Sequence, residues 1–123
     1  MPTHVLIHDG ARPWVSRETI VNVLSAAVEH GAAAPVVPAV NALKVVDDKG
    51  VLKEHLSRES VYGVQTPQGF QFDEILSAHR EAAADTVHYI DDTEIYSRYC
   101  GEVYAVPGNP ENRKITYSHD LGD

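Results

Sequence analysis

The order of segments in the first third of the chain constrains its fold most strongly: a short apolar run, a turn, a capped amphipathic helix, then a second apolar run. His4-Val5-Leu6-Ile7-His8 is brief, apolar and rich in branched side chains, as buried strands are. It stops at Asp9-Gly10-Ala11-Arg12-Pro13, a set of turn formers. Ser16 then stands where a helix N-cap belongs, its hydroxyl suited to an otherwise unpaired backbone N–H. Ile20, Val23, Leu24, Ala27 and Val28 recur at helical spacing and make one apolar face. Gly31 fits the position just past the helix end. Ala34-Pro35-Val36-Val37 reads as a second strand. The unit is βαβ, so its two strands are expected to be parallel with a right-handed crossover. The chain as a whole is expected to be α/β.

The next stretch breaks this rhythm. Ala42-Leu43-Lys44-Val45-Val46, the polar turn Asp47-Asp48-Lys49-Gly50 and Val51-Leu52-Lys53 predict a hairpin. A two-stranded ribbon is marginal by itself in water, so it is expected to pack on something, such as a second subunit. Val61-Tyr62-Gly63-Val64-Gln65 predicts a third strand, ended by a turn at Thr66-Pro67-Gln68-Gly69. A helix is predicted from Asp73, with Phe72, Ile75, Leu76, His79 and Ala83 facing inward. Asp91-Asp92 caps a shorter helix through Cys100, closed by Gly101. Val103-Tyr104-Ala105-Val106 and Arg113-Lys114-Ile115-Thr116 predict two more strands, and Ser118 reads as the cap of a helix left incomplete. There is no internal repeat.

Length and charge narrow the function. A chain of 123 residues is one domain or part of one. Ten basic against 18 acidic side chains leave a net charge of −8, which repels nucleic-acid phosphates and argues against general nucleic-acid binding. A small phosphorylated ligand stays compatible, because a few cations can converge on one pocket. No apolar run is long enough to span a membrane, so no membrane partner is expected. The lone Cys100 excludes an internal disulfide and a cysteine-based zinc site. With no signal-like start, a reducing, cytoplasmic location is expected.

Several residues carry possible chemistry. Ligands of parallel sheets sit at the carboxyl ends of the strands, where Asp9 is expected. A carboxylate there suits magnesium, and it equally suits capping of the following turn. Arg12 has a planar fork for a phosphate, or pairs with a nearby carboxylate on the surface. Lys114 projects into the same crevice or into solvent. Arg58 and Thr66 flank the 62–65 strand, where Thr66-Pro67-Gln68 offers a hydroxyl and an amide to a ligand or forms an ordinary turn. The histidines do not suggest a metal: His4 and His8 on one strand lie roughly 13 Å apart. His79 is expected to be packed, and His30, His55, His88 and His119 lack ligand spacing. Asp91 and Asp92 are explained by helix capping, Asp47 and Asp48 by a solvated turn. Cys100 has only Arg98 as a basic neighbour in its helix and is not expected to be a nucleophile. Neither Gly-x-Gly-x-x-Gly nor a Walker motif is present.

Taken together and in order, His8-Asp9-Gly10-Ala11-Arg12-Pro13, Gln65-Thr66-Pro67-Gln68-Gly69-Phe70, Asp91-Asp92 and Asn112-Arg113-Lys114-Ile115-Thr116 match one family. The chain resembles the C-terminal part of the 2-C-methyl-D-erythritol 4-phosphate cytidylyltransferases of the non-mevalonate isoprenoid pathway. The resemblance implies a Rossmann-like α/β nucleotidyltransferase fold, incomplete here, with a protruding β-ribbon arm over about residues 40–60. It implies a homodimer that exchanges the 42–53 ribbon and joins CTP to the polyol phosphate, releasing pyrophosphate. It implies Asp9 as the Mg2+ ligand near the CTP α-phosphate, with Gly10 beside it at the nucleotide. Arg12 would contact the polyol phosphate, and Lys114 would stabilise charge on the reacting phosphates and nucleotide. Arg58, supplied across the dimer, and Thr66 match positions that bind the polyol phosphate. Glu111 falls where the family usually has an aspartate near the substrate.

Such chemistry asks for positioning and charge neutralisation rather than a protein nucleophile. The family's glycine-rich loop has no counterpart in the sequence. Residues 1–123 are therefore expected to be the C-terminal part of a single domain and not to turn over CTP alone. Asn41-Ala42-Leu43-Lys44 stands where the family has Asp-Thr before the arm lysine, which leaves ribitol 5-phosphate as an alternative substrate. A non-catalytic oligomerisation or ligand-binding module is the alternative of a different class, and a phosphohydrolase built on Asp9 is a third.

Overall fold

The computed structural model describes residues 2–116. Strand β1 (His4–Ile7) leads into helix α1 (Arg17–His30) and strand β2 (Ala32–Pro38). Strands β3 (Lys44–Val46) and β4 (Leu52–His55) form the ribbon, followed by β5 (Tyr62–Val64) and β6 (Gln68–Gln71). Helices α2 (Phe72–Ala83) and α3 (Asp92–Tyr99) and strand β7 (Tyr104–Pro107) complete the described part. Ser118 lies outside the described residues.

Local chemistry accounts for the helix ends. The Ser16 hydroxyl accepts from the Thr19 N–H, and Gly31 closes α1 at φ 100°, a conformation costly for any side chain. The Asp91 carboxylate accepts from the Glu94 N–H at the start of α3.

The main sheet has five strands in the order β1-β6-β2-β5, with β7 parallel to β2 on its other edge. Strands β1 and β2 run in the same direction, as the βαβ reading requires, but they are not neighbours. Strand β6 lies between them and is antiparallel to both. The sheet is therefore mixed, and the turn predicted at 66–69 is instead the Thr66–Pro67 step, which is cis, followed directly by β6. Periodicity did not mark Gln68-Gly69-Phe70-Gln71 because two glutamines and a glycine carry no apolar alternation. The glycine has a packing reason: a Cβ on Gly69 would lie 3.0 Å from Leu6 and Val23 side-chain carbons and 3.1 Å from the Ala27 Cβ. Its absence lets α1 approach the sheet closely.

Alternating side chains divide the core between two faces of the sheet. On one face Ala32, Phe70, Ile75 and Tyr96 cluster with Val5 and Ile7. On the other, Val23, Ala27 and Ala33 cluster with Leu6 and Val106. Helix α1 thus covers one face, and α2 and α3 cover the other. Contact over small residues narrows the buried stripe of α1 to Thr19, Val23 and Ala27. Leu24 and Val28, expected to face inward, are 40% and 59% exposed. On α2, Ile75 and Ala78 are buried, whereas His79 and Ala83 face outward. His79 Nε2 instead meets Asp92 Oδ1 at 2.7 Å. Residues 113–116 are not a strand; their backbone is irregular.

The ribbon forms as predicted, with a bulge between Val45 and Val46. All seven of its strand residues are exposed. Its turn is closed by Asp47, whose carboxylate accepts from the Lys49 and Val51 N–H groups.

Candidate active site

Three segments meet at the carboxyl end of β1: the turn after β1, the β5–β6 junction and the irregular stretch after β7. Asp9 is the hub. Its backbone N–H donates to Thr66 Oγ1 at 3.0 Å, and its Oδ1 accepts from the Ala11 N–H at 2.9 Å. Its Oδ2 faces Lys114 Nζ at 3.2 Å. Lys114 reaches this place without strand pairing: the Ile115 N–H donates to the Ala11 carbonyl at 2.7 Å, which lays residues 112–115 along the turn. Arg12 Nη1 donates to the Asn112 carbonyl at 2.6 Å, leaving the rest of its fork for another acceptor. Its Nε is buried and has no hydrogen-bond partner among the described residues.

The Asp9 carboxyl is held below the ordinary carboxylate range. The Ala11 N–H is the main cause, followed by the hydrogen bond from Lys114 and the charges of Lys114 and Arg12. Asp47 is lowered by N–H groups of its own turn, Val51 foremost. Asp85 is lowered by the hydroxyls of Tyr89 and Tyr99. A carboxyl whose pKa is depressed by folding stabilises the fold fully above its unfolded value. That contribution is lost as pH falls through the folded value. Urea midpoints should therefore decline below about pH 4 and continue to fall as these three groups protonate. A midpoint unchanged from pH 5 to pH 2.5, roughly the window of such shifts, would contradict this assignment.

Other predicted residues take varied places. Thr66 is central, accepting from Asp9 and sharing a 2.9 Å hydrogen bond with His8 Nδ1. Gly10 has open space where a Cβ would stand, so room exists beside Asp9. Glu111 is exposed, with its N–H donated to Asn109 Oδ1, one residue from the carbonyl that holds Arg12. Arg58 hydrogen-bonds elsewhere, to the Val40 carbonyl at the base of the ribbon. Asp91 caps α3 and also accepts from Gln68 Nε2 at 3.3 Å. Burial, and then Glu74, push the Cys100 thiol up, so it is a poor nucleophile.

Sequence reasoning missed the supports of this site. His8, weighed only as a metal ligand, bridges Thr66 Oγ1 and the Arg12 carbonyl, each at 2.9 Å. Asn112 is fully buried and donates to the Thr66 carbonyl at 2.7 Å. Gln65 Nε2 donates to the Asn109 carbonyl at 2.8 Å. These amides tie the β5–β6 junction to the stretch after β7. The signal available in advance was their place inside the motif segments.

Among the described residues no three His, Cys, Asp or Glu side chains converge as a metal cage. One carboxylate, Asp9, is still a fitting donor set for magnesium, which commonly takes one or two carboxylates and fills its shell with water and phosphate oxygens. A separate concavity of about 570 Å³, lined by Val36, Val37, Pro38, Tyr62 and Val106 among others, is apolar and contains none of the predicted site residues.

Comparison with known proteins identifies the family. The family model described as 2-C-methyl-D-erythritol 4-phosphate cytidylyltransferase matches residues 1–123. A protein of that name from Clostridium botulinum (strain Eklund 17B / Type B) is 42% identical over 117 residues, covering 95% of this chain and 52% of the relative. The crystal structure of the Thermus thermophilus protein of that name superposes with a TM-score of 0.88 at 35% identity, covering 99% of this chain and 60% of that one. The 4-diphosphocytidyl-2C-methyl-D-erythritol synthase from Anaerococcus prevotii gives 0.89 at 28% identity, over 97% and 53% of the two chains. The chain spans about half the length of the curated relatives it matches. With its fold, its ordered motifs and the family model all in agreement, the chain belongs to the 2-C-methyl-D-erythritol 4-phosphate cytidylyltransferase family.

Proposed function

We infer that this chain supplies the polyol-phosphate and metal side of a cytidylyltransferase site. The observation that carries the reading is the meeting of Asp9, Lys114 and Arg12 at one strand end, with Asp9 Oδ2 3.2 Å from Lys114 Nζ. An acid beside two cations, with no activated nucleophile, suits a reaction between two phosphorylated partners. An oxygen of the polyol phosphate attacks the α-phosphorus of CTP, the bond to pyrophosphate breaks, and no covalent protein intermediate forms.

Each residue then has a task. Arg12 holds the polyol phosphate through the part of its fork not given to Asn112. Lys114 neutralises charge that gathers on the reacting phosphates. The Thr66 hydroxyl and the space beside Gly10 bound the ligand, and Glu111 lies at the edge of the substrate. Asp9 would hold Mg2+, whose charge would offset the repulsion between the phosphates. Arg58, on the exposed arm, serves the site of a second subunit. That assignment goes with a homodimer formed through the 42–53 ribbon, whose exposed Val45, Val46, Val51 and Leu52 favour burial against a partner. No helix among the described residues is long and apolar enough to cross a membrane. We take the reaction to be cytoplasmic.

Calorimetric titration with 2-C-methyl-D-erythritol 4-phosphate, ribitol 5-phosphate, and CTP with magnesium tests the reading. Saturable binding of the methylerythritol phosphate, tighter than ribitol 5-phosphate, is expected. Pyrophosphate release by the chain alone is expected to be absent, since the sequence carries no glycine-rich phosphate loop. Binding of neither polyol phosphate would overturn the reading, and a preference for ribitol 5-phosphate would move it to that substrate.

A further inference from the structure

Trp14 is the chain's single tryptophan, and the proposed chemistry leaves it without a task. Its ring lies against the Arg113 guanidinium, with Cζ 4.6 Å from the ring centroid. Trp14 is 37% exposed, so the stack lies partly in solvent. Trp14 stands two residues after Arg12, and Arg113 stands one before Lys114. The stack therefore joins the turn after β1 to the irregular stretch after β7.

Two backbone links run alongside it: Arg12 Nη1 to the Asn112 carbonyl at 2.6 Å and the Ile115 N–H to the Ala11 carbonyl at 2.7 Å. Residues 112, 113 and 115 are thus each tied to the turn, and Lys114 is the residue they enclose. Its side chain is 54% exposed. A lysine that far in water gains little from an ion pair by itself. The backbone that carries it fixes where its Cα stands, and so which acceptors its ammonium can reach.

We propose that the Trp14–Arg113 stack is a latch that positions Lys114 over Asp9, so that a phosphorylated ligand meets an ammonium already in place. Trp14 is a positioning residue. The proposal rests on the phosphate-site reading above and goes past it by naming what holds the lysine. The physical basis is the attraction between a cation and the negative face of the indole, which is stronger for tryptophan than for phenylalanine and absent for leucine. Arginine suits the role because its planar guanidinium stacks and stays charged. Preorganisation of this kind raises affinity by lowering the ordering cost of binding.

Competitive labelling of amines, read residue by residue by mass spectrometry, tests the latch. Lys44, Lys49 and Lys53 lie on the ribbon and serve as internal controls. In Trp14→Leu, Lys114 should label about threefold to tenfold faster while the three controls stay unchanged. Trp14→Phe should fall between, and Arg113→Gln should resemble Trp14→Leu. CTP with magnesium, followed by calorimetry, should bind about threefold to tenfold more weakly to Trp14→Leu. Unchanged Lys114 labelling in both Trp14→Leu and Arg113→Gln overturns the latch, whatever the ligand does. Faster labelling of Lys114 alone, with neither polyol phosphate bound by the unaltered chain, supports the latch and counts against the phosphate-site reading. Faster labelling at all four lysines with a lowered melting temperature, repeated in Trp14→Phe, shows a general loosening and overturns the positional role.

Discussion

Asp9→Asn is expected to weaken magnesium-dependent binding of CTP by about 100-fold or more while changing stability by less than about 1 kcal/mol. The two effects separate because the two carboxylate oxygens do different things. Oδ1 accepts the Ala11 N–H, and an asparagine oxygen accepts it equally well, so the turn survives. Oδ2 faces the Lys114 ammonium at 3.2 Å. An amide NH2 there would set donor against donor and remove the charge that a hard cation needs. The substitution thus divides the two meanings that Asp9 has in the sequence. A turn cap tolerates asparagine, whereas a metal ligand does not. Calorimetry with and without magnesium, together with a thermal melt, measures both quantities. Unchanged affinity would reduce Asp9 to a cap.

Phe70→Ala should cost about 3–5 kcal/mol and lower the melting temperature by roughly 10 °C or more. Phe70 is fully buried and belongs to β6, where it pairs with Val5 of β1 and Ala32 of β2. Its ring meets that of Tyr96 at 5.6 Å in a tilted arrangement. Truncation would leave a cavity at the point where the sheet joins α2 and α3, since Ile75 and Tyr96 share the cluster. The strand most affected also ends beside Asp9: Gln68 is the register partner of Ile7. Weakened ligand binding is therefore expected to accompany the lost stability. A melting temperature within about 2 °C of the unaltered chain would mean that the sheet is not organised around this ring.

Much of the fold was legible because its signals are local. The Ser16 and Asp91 caps, Gly31, the helical spacing of α1 and the polar turn of the ribbon each depend on neighbours within a few residues. Strand β6 was not legible, because Gly69 owes its place to Val23 and Ala27 on another element. Leu24 and Val28 misled for the same reason, since only the packed sheet decides how wide a helix stripe is covered. At the site, Asp9, Arg12, Thr66 and Lys114 were recognised as chemical groups and by resemblance. The bridging role of His8 and the buried amides of Gln65 and Asn112 came only with coordinates.

By itself the sequence determined the local elements, their caps and the stock of charged groups, since these follow from periodicity and from side chains bonding to their own backbone. Tertiary structure alone decided that an acid near the start and a lysine near the end stand 3.2 Å apart. Closing a loop of that length carries an entropic cost that the pair itself is too weak to meet. Burial of β6 between β1 and β2, and of Asn112 beneath the junction, offsets that cost, and the charges meet because the core brings them there.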